Sequence, residues 1–235
     1  MKSLYVYAVL AGGAGVTPGA GVARERVRVS RCGTVFVAVG AVPAVPALSA
    51  RTVRAHDAVV RRLAVRAPAV LPVRFGTVFA DRAALFRSLR AREGALREAL
   101  ELVDGREQMT LRLYGKTGQP TDEDDVAESR GDAAAADVGN GAGGVGTRYL
   151  TRRARLQRIP ALTRLRPFLA SVVVAERVER QAVPPLLASA YHLIPRGASE
   201  DYRAALARAR RALGPVRVHV TGPWPAYAFT PGPGA

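Results

Sequence analysis

The most constraining stretch of the sequence is a short apolar run, Val70 to Phe79, that contains one charge and one glycine. A run of this length, rich in β-branched and aromatic residues, predicts a buried strand. Pro72 indicates the beginning or the edge of a sheet, because proline cannot donate to a ladder. Gly76 allows a positive φ or the close approach of another segment. Helical patterns flank the run, so we expect it to be the central strand of an α-strand-α unit.

Arg74 is the charge within this run. The period of two in a strand places Val73 and Phe75 on one face and Arg74 on the other. Two interpretations follow. Arg74 either lies on a solvated face or pairs with a carboxylate, or it forms part of a contact surface with the Phe75-Gly76 turn.

Strand patterns dominate the beginning of the chain. Residues 4–10 predict a strand, with Tyr5 and Tyr7 on one face. Residues 24–29 and 33–42 predict a hairpin. The glycine-rich turn after the first strand lacks the Lys-Ser/Thr pair and the following helix that a phosphate-binding loop requires, so we expect no nucleotide site there.

Two helices and a further strand follow. The first helix begins near Leu48, and its apolar residues recur at helical spacing: His56, Val59, Val60 and Leu63. We expect His56 to be a hydrogen-bonded core histidine rather than a catalytic one. Asp81 is a good N-cap for a second helix, and Gly105 is well placed to end it. Glu107 to Tyr114 alternates as a strand does.

The pattern divides the chain into three parts. Residues 1–115 run as strands, helix, strand, helix, strand, which predicts an α+β domain of ferredoxin-like type. Residues 116–146 are acidic and rich in glycine and alanine, which predicts a disordered linker. That segment lacks the glycine and glutamate positions of a calcium loop. Residues 147–235 predict a smaller α+β domain with a helical segment and a proline-rich tail.

The second domain has its own element order. We expect helix from Leu162 to Val178, a strand from Leu186 to Ile194, a helix opened by Ser199, and a strand over residues 216–220. The tail contains Trp224 between two prolines, a rigid apolar wedge. Trp224 either packs over the second core to anchor the tail or binds a partner.

Catalytic patterns are lacking in the sequence. Cys32 is the single cysteine, which excludes an internal disulfide and a cysteine-based metal site and suits a reducing cytoplasm. The three histidines are not at ligand spacing, and there is no Gly-x-Ser-x-Gly elbow. We therefore expect no enzyme activity, no metal and no cofactor. No apolar stretch reaches the roughly 18 residues of a membrane span.

The formal net charge of +16 comes almost entirely from arginine. Such a balance predicts association with polyanions or acidic partners, although base composition of the genome explains arginine usage equally well. A basic ferredoxin-like protein that binds nucleic acid is therefore an alternative. RNA-recognition domains stack bases on clustered sheet aromatics, and that cluster is missing here, so specific nucleic-acid binding is not expected.

Four stretches of the sequence resemble one family. They are Pro72-Val-Arg-Phe-Gly-Thr77, Leu4-Tyr-Val-Tyr7, Gly146-Thr-Arg-Tyr-Leu150 and Thr221-Gly-Pro-Trp-Pro-Ala-Tyr227. Together they resemble the GvpL/GvpF family of gas vesicle proteins, with the one departure that Ala226 stands where the family usually has proline. The resemblance implies a cytoplasmic accessory or minor structural protein that acts at gas vesicles.

The resemblance also implies partners. These are the small hydrophobic major shell protein and other gas vesicle accessory proteins, with no membrane. A subunit that polymerises into a shell exposes apolar surface before assembly, and a partner that covers this surface prevents aggregation. We expect the contact surface to include five residues: Arg74, Phe75, Gly76, Trp224 and Tyr227.

Overall fold

A computed structural model describes residues 2–13, 15–115, 159–181, 184–213 and 215–232. The described residues form two antiparallel sheets and five α-helices. The predicted linker over residues 116–146 and the Gly146–Leu150 motif lie outside them. In these ranges no helix is both long and apolar enough to cross a lipid bilayer.

The first sheet is built around the first strand of the chain. Its strands are β1 (Ser3–Leu10), β2 (Arg28–Cys32), β3 (Val35–Val42), β4 (Val70–Pro72) and β5 (Val78–Phe79). Their order is β2-β3-β1-β4, and β5 also pairs with β1. The predicted first strand and the β2–β3 hairpin are confirmed.

The predicted central position of the Val70–Phe79 run is wrong. The run lies at the edge of the sheet, on the far side of β1 from β3, and it is split into β4 and β5. Pro72 supplies no backbone donor, and the chain then turns through Arg74 to Thr77, where the Thr77 amide donates to the Arg74 carbonyl at 3.2 Å. Gly76 adopts the expected positive φ, +86°.

Helices cover both faces of the first sheet. The helix α1 (Ala50–Arg66) packs on the face that carries Tyr5 and Tyr7, and it begins with a capping box between Ser49 and Thr52. The helices α2 (Arg82–Arg90) and α3 (Glu93–Val103) pack on the opposite face. Asp81 caps α2 as predicted, but the single helix expected after it is two helices. The ferredoxin-like arrangement, with both helices on one face, is not confirmed.

The second sheet includes a strand that the sequence pattern assigned to the first. Its strands are β6 (Arg106–Tyr114), β7 (Ala175–Arg180), β8 (Leu186–Pro195) and β9 (Arg217–Trp224), in the order β7-β8-β6-β9. The prediction that residues 107–114 complete the first sheet is therefore wrong. The apolar face of β6 fills the second core instead, through Met109, Leu111 and Leu113.

Two helices, α4 (Pro160–Leu169) and α5 (Ser199–Ala209), cover one face of the second sheet. The helix predicted over Leu162–Val178 ends at Leu169, because residues 175–180 pair with β8 along their whole length. The predicted strands at β8 and β9 and the helix at Ser199 are confirmed. The other face of this sheet, through Leu193, joins the core beneath α2 and α3.

Candidate interaction surface

The turn after β4 presents Arg74 to solvent and directs Phe75 toward the sheet. The Thr77 hydroxyl donates to the Arg74 carbonyl at 2.8 Å, and the Gly76 amide donates to the Tyr5 hydroxyl at 3.1 Å. The space around Gly76 would admit a Cβ atom, so its positive φ is the only local demand for glycine. Arg74 is exposed and Phe75 is half-buried.

Phe75 belongs to an aromatic cluster beneath α1. Its ring centroid lies 6.1 Å from that of Tyr5 and 5.9 Å from that of His56, both in edge-on geometry. The Tyr5 hydroxyl lies 3.0 Å from His56 Nδ1. Burial lowers the pKa of His56, and the Val73 backbone, which favours the protonated ring, offsets only part of this effect. His56 is thus a neutral, hydrogen-bonded core residue, as predicted.

Asp57, which follows His56 in α1, binds the tail of the chain (residues 222–230). Asp57 Oδ1 accepts a hydrogen bond from the Tyr227 hydroxyl at 2.9 Å, and its Oδ2 accepts one from Arg61 Nε at 2.6 Å. The Arg61 guanidinium lies 4.6 Å from the centroid of the Trp224 ring, a cation–π geometry. Burial and the neighbouring Asp57 carboxylate raise the pKa of the Tyr227 hydroxyl. The tail is therefore fixed to α1 by polar as well as apolar contacts.

The tail is also an anchor between the two sheets. Ala226 and Phe229 are buried in the core beneath α2 and α3. The Ala228 amide donates to Gln108 Oε1 at 2.8 Å, and the Thr230 hydroxyl donates to the Pro72 carbonyl at 2.9 Å. At Gly222, with φ +123°, a Cβ atom would approach the Gln108 carbonyl oxygen to 2.8 Å, so glycine is required there.

Predicted site residues from two distant stretches thus meet on one helix. Phe75 contacts His56 and Tyr227 contacts Asp57, and these are adjacent positions of α1. Val53 precedes Asp57 by one helical turn and is 40% exposed, while Leu48, just before α1, is 80% exposed. We define the α1 surface as Leu48, Val53, Asp57, Arg61, Arg74, Phe75, Trp224 and Tyr227.

Sequence reasoning missed Asp57 and Arg61 as members of this surface. Both lie on the polar side of an amphipathic helix, where charged side chains are ordinarily solvated. Their spacing of four residues indicates an ion pair on the helix, but no sequence signal connects that pair to Trp224 or Tyr227.

A second polar cluster lies in the other sheet. The Tyr202 hydroxyl lies 2.6 Å from His192 Nδ1, and His192 Nε2 lies 3.1 Å from Glu176 Oε2. Arg166 Nη2 donates to Glu176 Oε1 at 2.7 Å. The His192 hydrogen bond, supported by Arg166, lowers the pKa of Glu176 to about 2. Sequence reasoning missed this cluster because it placed Glu176 on a helix.

Comparison with known proteins identifies the fold. The structure matches the crystal structure of the gas vesicle protein GvpF from Anabaena sp. PCC7120 with a TM-score of 0.68 and 15% identity, over 98% of this chain and 97% of that one. The GvpF structure from Microcystis aeruginosa matches with a TM-score of 0.69 and 16% identity, over 97% and 99% of the two chains. At these identities the likeness establishes a shared fold.

Sequence comparison then establishes the class, that of gas vesicle proteins. The gas vesicle protein L of Streptomyces sp. (strain CB03234) is 33% identical over 254 aligned positions, which span 96% of this chain and 91% of that protein. The family described as gas vesicle synthesis protein GvpL/GvpF matches residues 3–231. The chain belongs to the GvpL/GvpF family.

Proposed function

We propose that this chain is a cytoplasmic accessory protein of gas vesicle assembly, without catalytic activity, that binds the small hydrophobic shell protein and helps to nucleate the vesicle wall. The observation that carries the proposal is the meeting of the Phe75 turn and the Trp224–Tyr227 tail on α1. Other gas vesicle accessory proteins are expected at the same assembly.

The composition of the α1 surface supports this role. Aromatic and arginine side chains dominate the energetics of protein interfaces, and the surface carries both. Val53, one helical turn before Asp57, and Leu48, just before α1, add exposed apolar area at the start of this helix. A shell subunit that has not yet polymerised exposes apolar surface, and an apolar partner with a charged rim covers such surface while it remains in solution.

The nucleic-acid alternative loses two of its candidate stacking rings in this fold. Tyr5 and Tyr7 are fully buried between the first sheet and α1, so neither ring is available to a base. Helices pack on both faces of the first sheet, and α2 and α3 leave part of their face open near Leu4 and Val39. Nonspecific electrostatic attraction to nucleic acid would depend steeply on salt.

The test is a titration of the purified protein against the shell subunit and against a random DNA duplex, at low salt and at about 0.5 M salt. At the higher salt the screening length falls to a few ångströms, so attraction between exposed charges collapses. The proposal expects binding to the shell subunit that persists at high salt. Binding to the duplex alone, lost at high salt, would contradict it.

A further inference from the structure

A groove opens on the face of the first sheet that α2 and α3 only partly cover. It has a volume of about 510 Å³. It is lined by residues of strands β1, β2 and β3 and by residues of α2. Ligand pockets in proteins span about 300–1,000 Å³. The groove lies on the opposite face of this sheet from α1, so it is distinct from the α1 surface.

The floor of the groove is apolar. Val39 and Leu4 are half-buried on this face, and Phe86 of α2 forms the facing wall. Arg28 stands opposite Val39 across the β2–β3 pair, so its side chain borders the floor. A strand face of this kind is normally covered by another element, and α2 covers only its far part, near Cys32.

The rim of the groove is basic. It carries the exposed cations Lys2, Arg26, Arg28 and Arg82. Among the described residues, none of these four lies within ion-pair distance of a carboxylate; Arg82 lies 4.7 Å from the centroid of the Phe86 ring. Glu25 is the one carboxylate of the lining, and its oxygens already accept hydrogen bonds from the Tyr7 hydroxyl and from the Ala23 amide.

We propose that this groove binds an acidic segment of a partner protein in which apolar side chains alternate with carboxylates. The four cations supply charge complementarity for the carboxylates, which favours fast association and selects against basic segments. The apolar floor would bury the apolar side chains of the bound segment. This burial would add affinity to that supplied by the charges. The proposal does not depend on what binds the α1 surface.

The side chains of the floor favour a peptide over a nucleic acid as the ligand. Bases bind single-strand sites by stacking on exposed aromatic rings, whereas Phe86, the aromatic side chain of this lining, is half-buried and faces Arg82. Aliphatic side chains fit a floor of valine and leucine.

The experiment measures the anisotropy of a fluorescent peptide of alternating glutamate and leucine on titration with the full-length protein. A peptide of equal length with serine in place of leucine, and a single-stranded oligonucleotide of equal charge, are the comparison probes. The variants are the double change Arg26→Glu with Arg28→Glu and a matched control, Arg208→Glu with Arg211→Glu, at exposed positions on and after α5. Circular dichroism confirms that each variant is folded.

The expected result is that the Kd for the glutamate–leucine peptide rises at least about tenfold in the groove variant and less than about twofold in the control. The serine peptide is expected to bind at least about tenfold more weakly than the leucine peptide. Equal losses in both variants, equal binding of the two peptides, or an oligonucleotide that binds as tightly as the leucine peptide would each overturn the proposal. No binding of the leucine peptide to the unaltered protein would overturn it as well.

Discussion

At the residue scale, the turn at Gly76 shows how one position sets local geometry. Its φ of +86° lies in the region that L side chains avoid, while its surroundings are open. The cost of a side chain there is therefore a backbone cost, on the order of 1–2 kcal/mol. The same turn carries Arg74 and Phe75, so its shape decides how the α1 surface is presented.

We predict that Gly76→Ala lowers the free energy of unfolding by about 1 kcal/mol, because alanine must adopt the left-handed conformation. Gly94→Ala is the matched control. Gly94 lies in α3 without a positive φ and without a neighbour that a Cβ atom would meet, so alanine there is expected to be neutral or stabilising. Urea unfolding of both variants measures the difference. Equal stability of the two variants would contradict the account.

Glu176 provides a pH-dependent test at the same scale. Its pKa is lowered from 4.5 to about 2 by the hydrogen bond with His192 and then by Arg166. Because its pKa is lower in the folded state, the ionised Glu176 carboxylate contributes to the free energy of unfolding. This contribution is complete above pH 4.5 and is lost as the pH falls toward 2. Its size is at most on the order of 3 kcal/mol, because the carboxylate is partly exposed and solvent screening reduces the contribution.

We predict that Glu176→Gln destabilises the protein at about pH 6 and that the difference from the unaltered protein shrinks as the pH falls to about 3. Urea unfolding at several pH values measures it. Glu101→Gln is the control, since that carboxylate is exposed and its partner Arg97 lies 3.7 Å away on the surface of α3. A difference that does not change with pH would mean that Glu176 acts only through packing.

At the element scale, two aromatic residues of the tail from Gly222 to Thr230 differ in burial. Phe229 is buried in the shared core, whereas Trp224 is half-buried against Arg61. The sequence pattern left open whether the tail anchors or binds. The structure assigns the anchoring contacts to Ala226 and Phe229 and leaves part of the Trp224 ring accessible.

We predict that Phe229→Ala costs about 3 kcal/mol of unfolding free energy, the lower end for a buried phenylalanine, while Trp224→Ala costs clearly less. Denaturant unfolding of both variants measures this split. A Trp224→Ala variant as unstable as Phe229→Ala would make Trp224 a core residue and would remove it from the α1 surface.

The elements that the sequence predicts well are those with strong local signals. The helix α1 has its Ser49 cap and a stripe at helical spacing, and β1 has an apolar run that ends in glycines. The sequence contains no comparable local signal for which other strand a given strand pairs with. The alternation in β6 predicts a strand, yet it contains nothing that selects β8 and β9 over β1. The split between α2 and α3, at Ala91 and Arg92, is not marked by a proline, and Gly94 is already the second residue of α3.

At the scale of the whole molecule, one of the hydrophobic cores contains residues of both sheets. Leu193 of β8 and Phe229 of the tail pack with residues of the first sheet and of α2 and α3. The sheet face that each helix covers depends on this packing between the two sheets. The order of helices and strands along the sequence therefore does not predict whether the arrangement is ferredoxin-like. The candidate surface stays a proposal; its aromatic residues lie in recognisable sequence motifs, whereas Asp57 and Arg61 lie beside them only through the tertiary fold.

The most direct test of the proposed function is the titration against the shell subunit at about 0.5 M salt, carried out with variants of the α1 surface. Trp224→Ala and Arg74→Glu, a change at an exposed position, are compared with Phe168→Ala; Phe168 is an aromatic residue on α4 that is 40% exposed. We predict that Kd rises at least about tenfold in the first two variants, equivalent to about 1.4 kcal/mol each, and less than about twofold in Phe168→Ala. Unchanged binding in both α1-surface variants, with folding intact, would contradict the central claim.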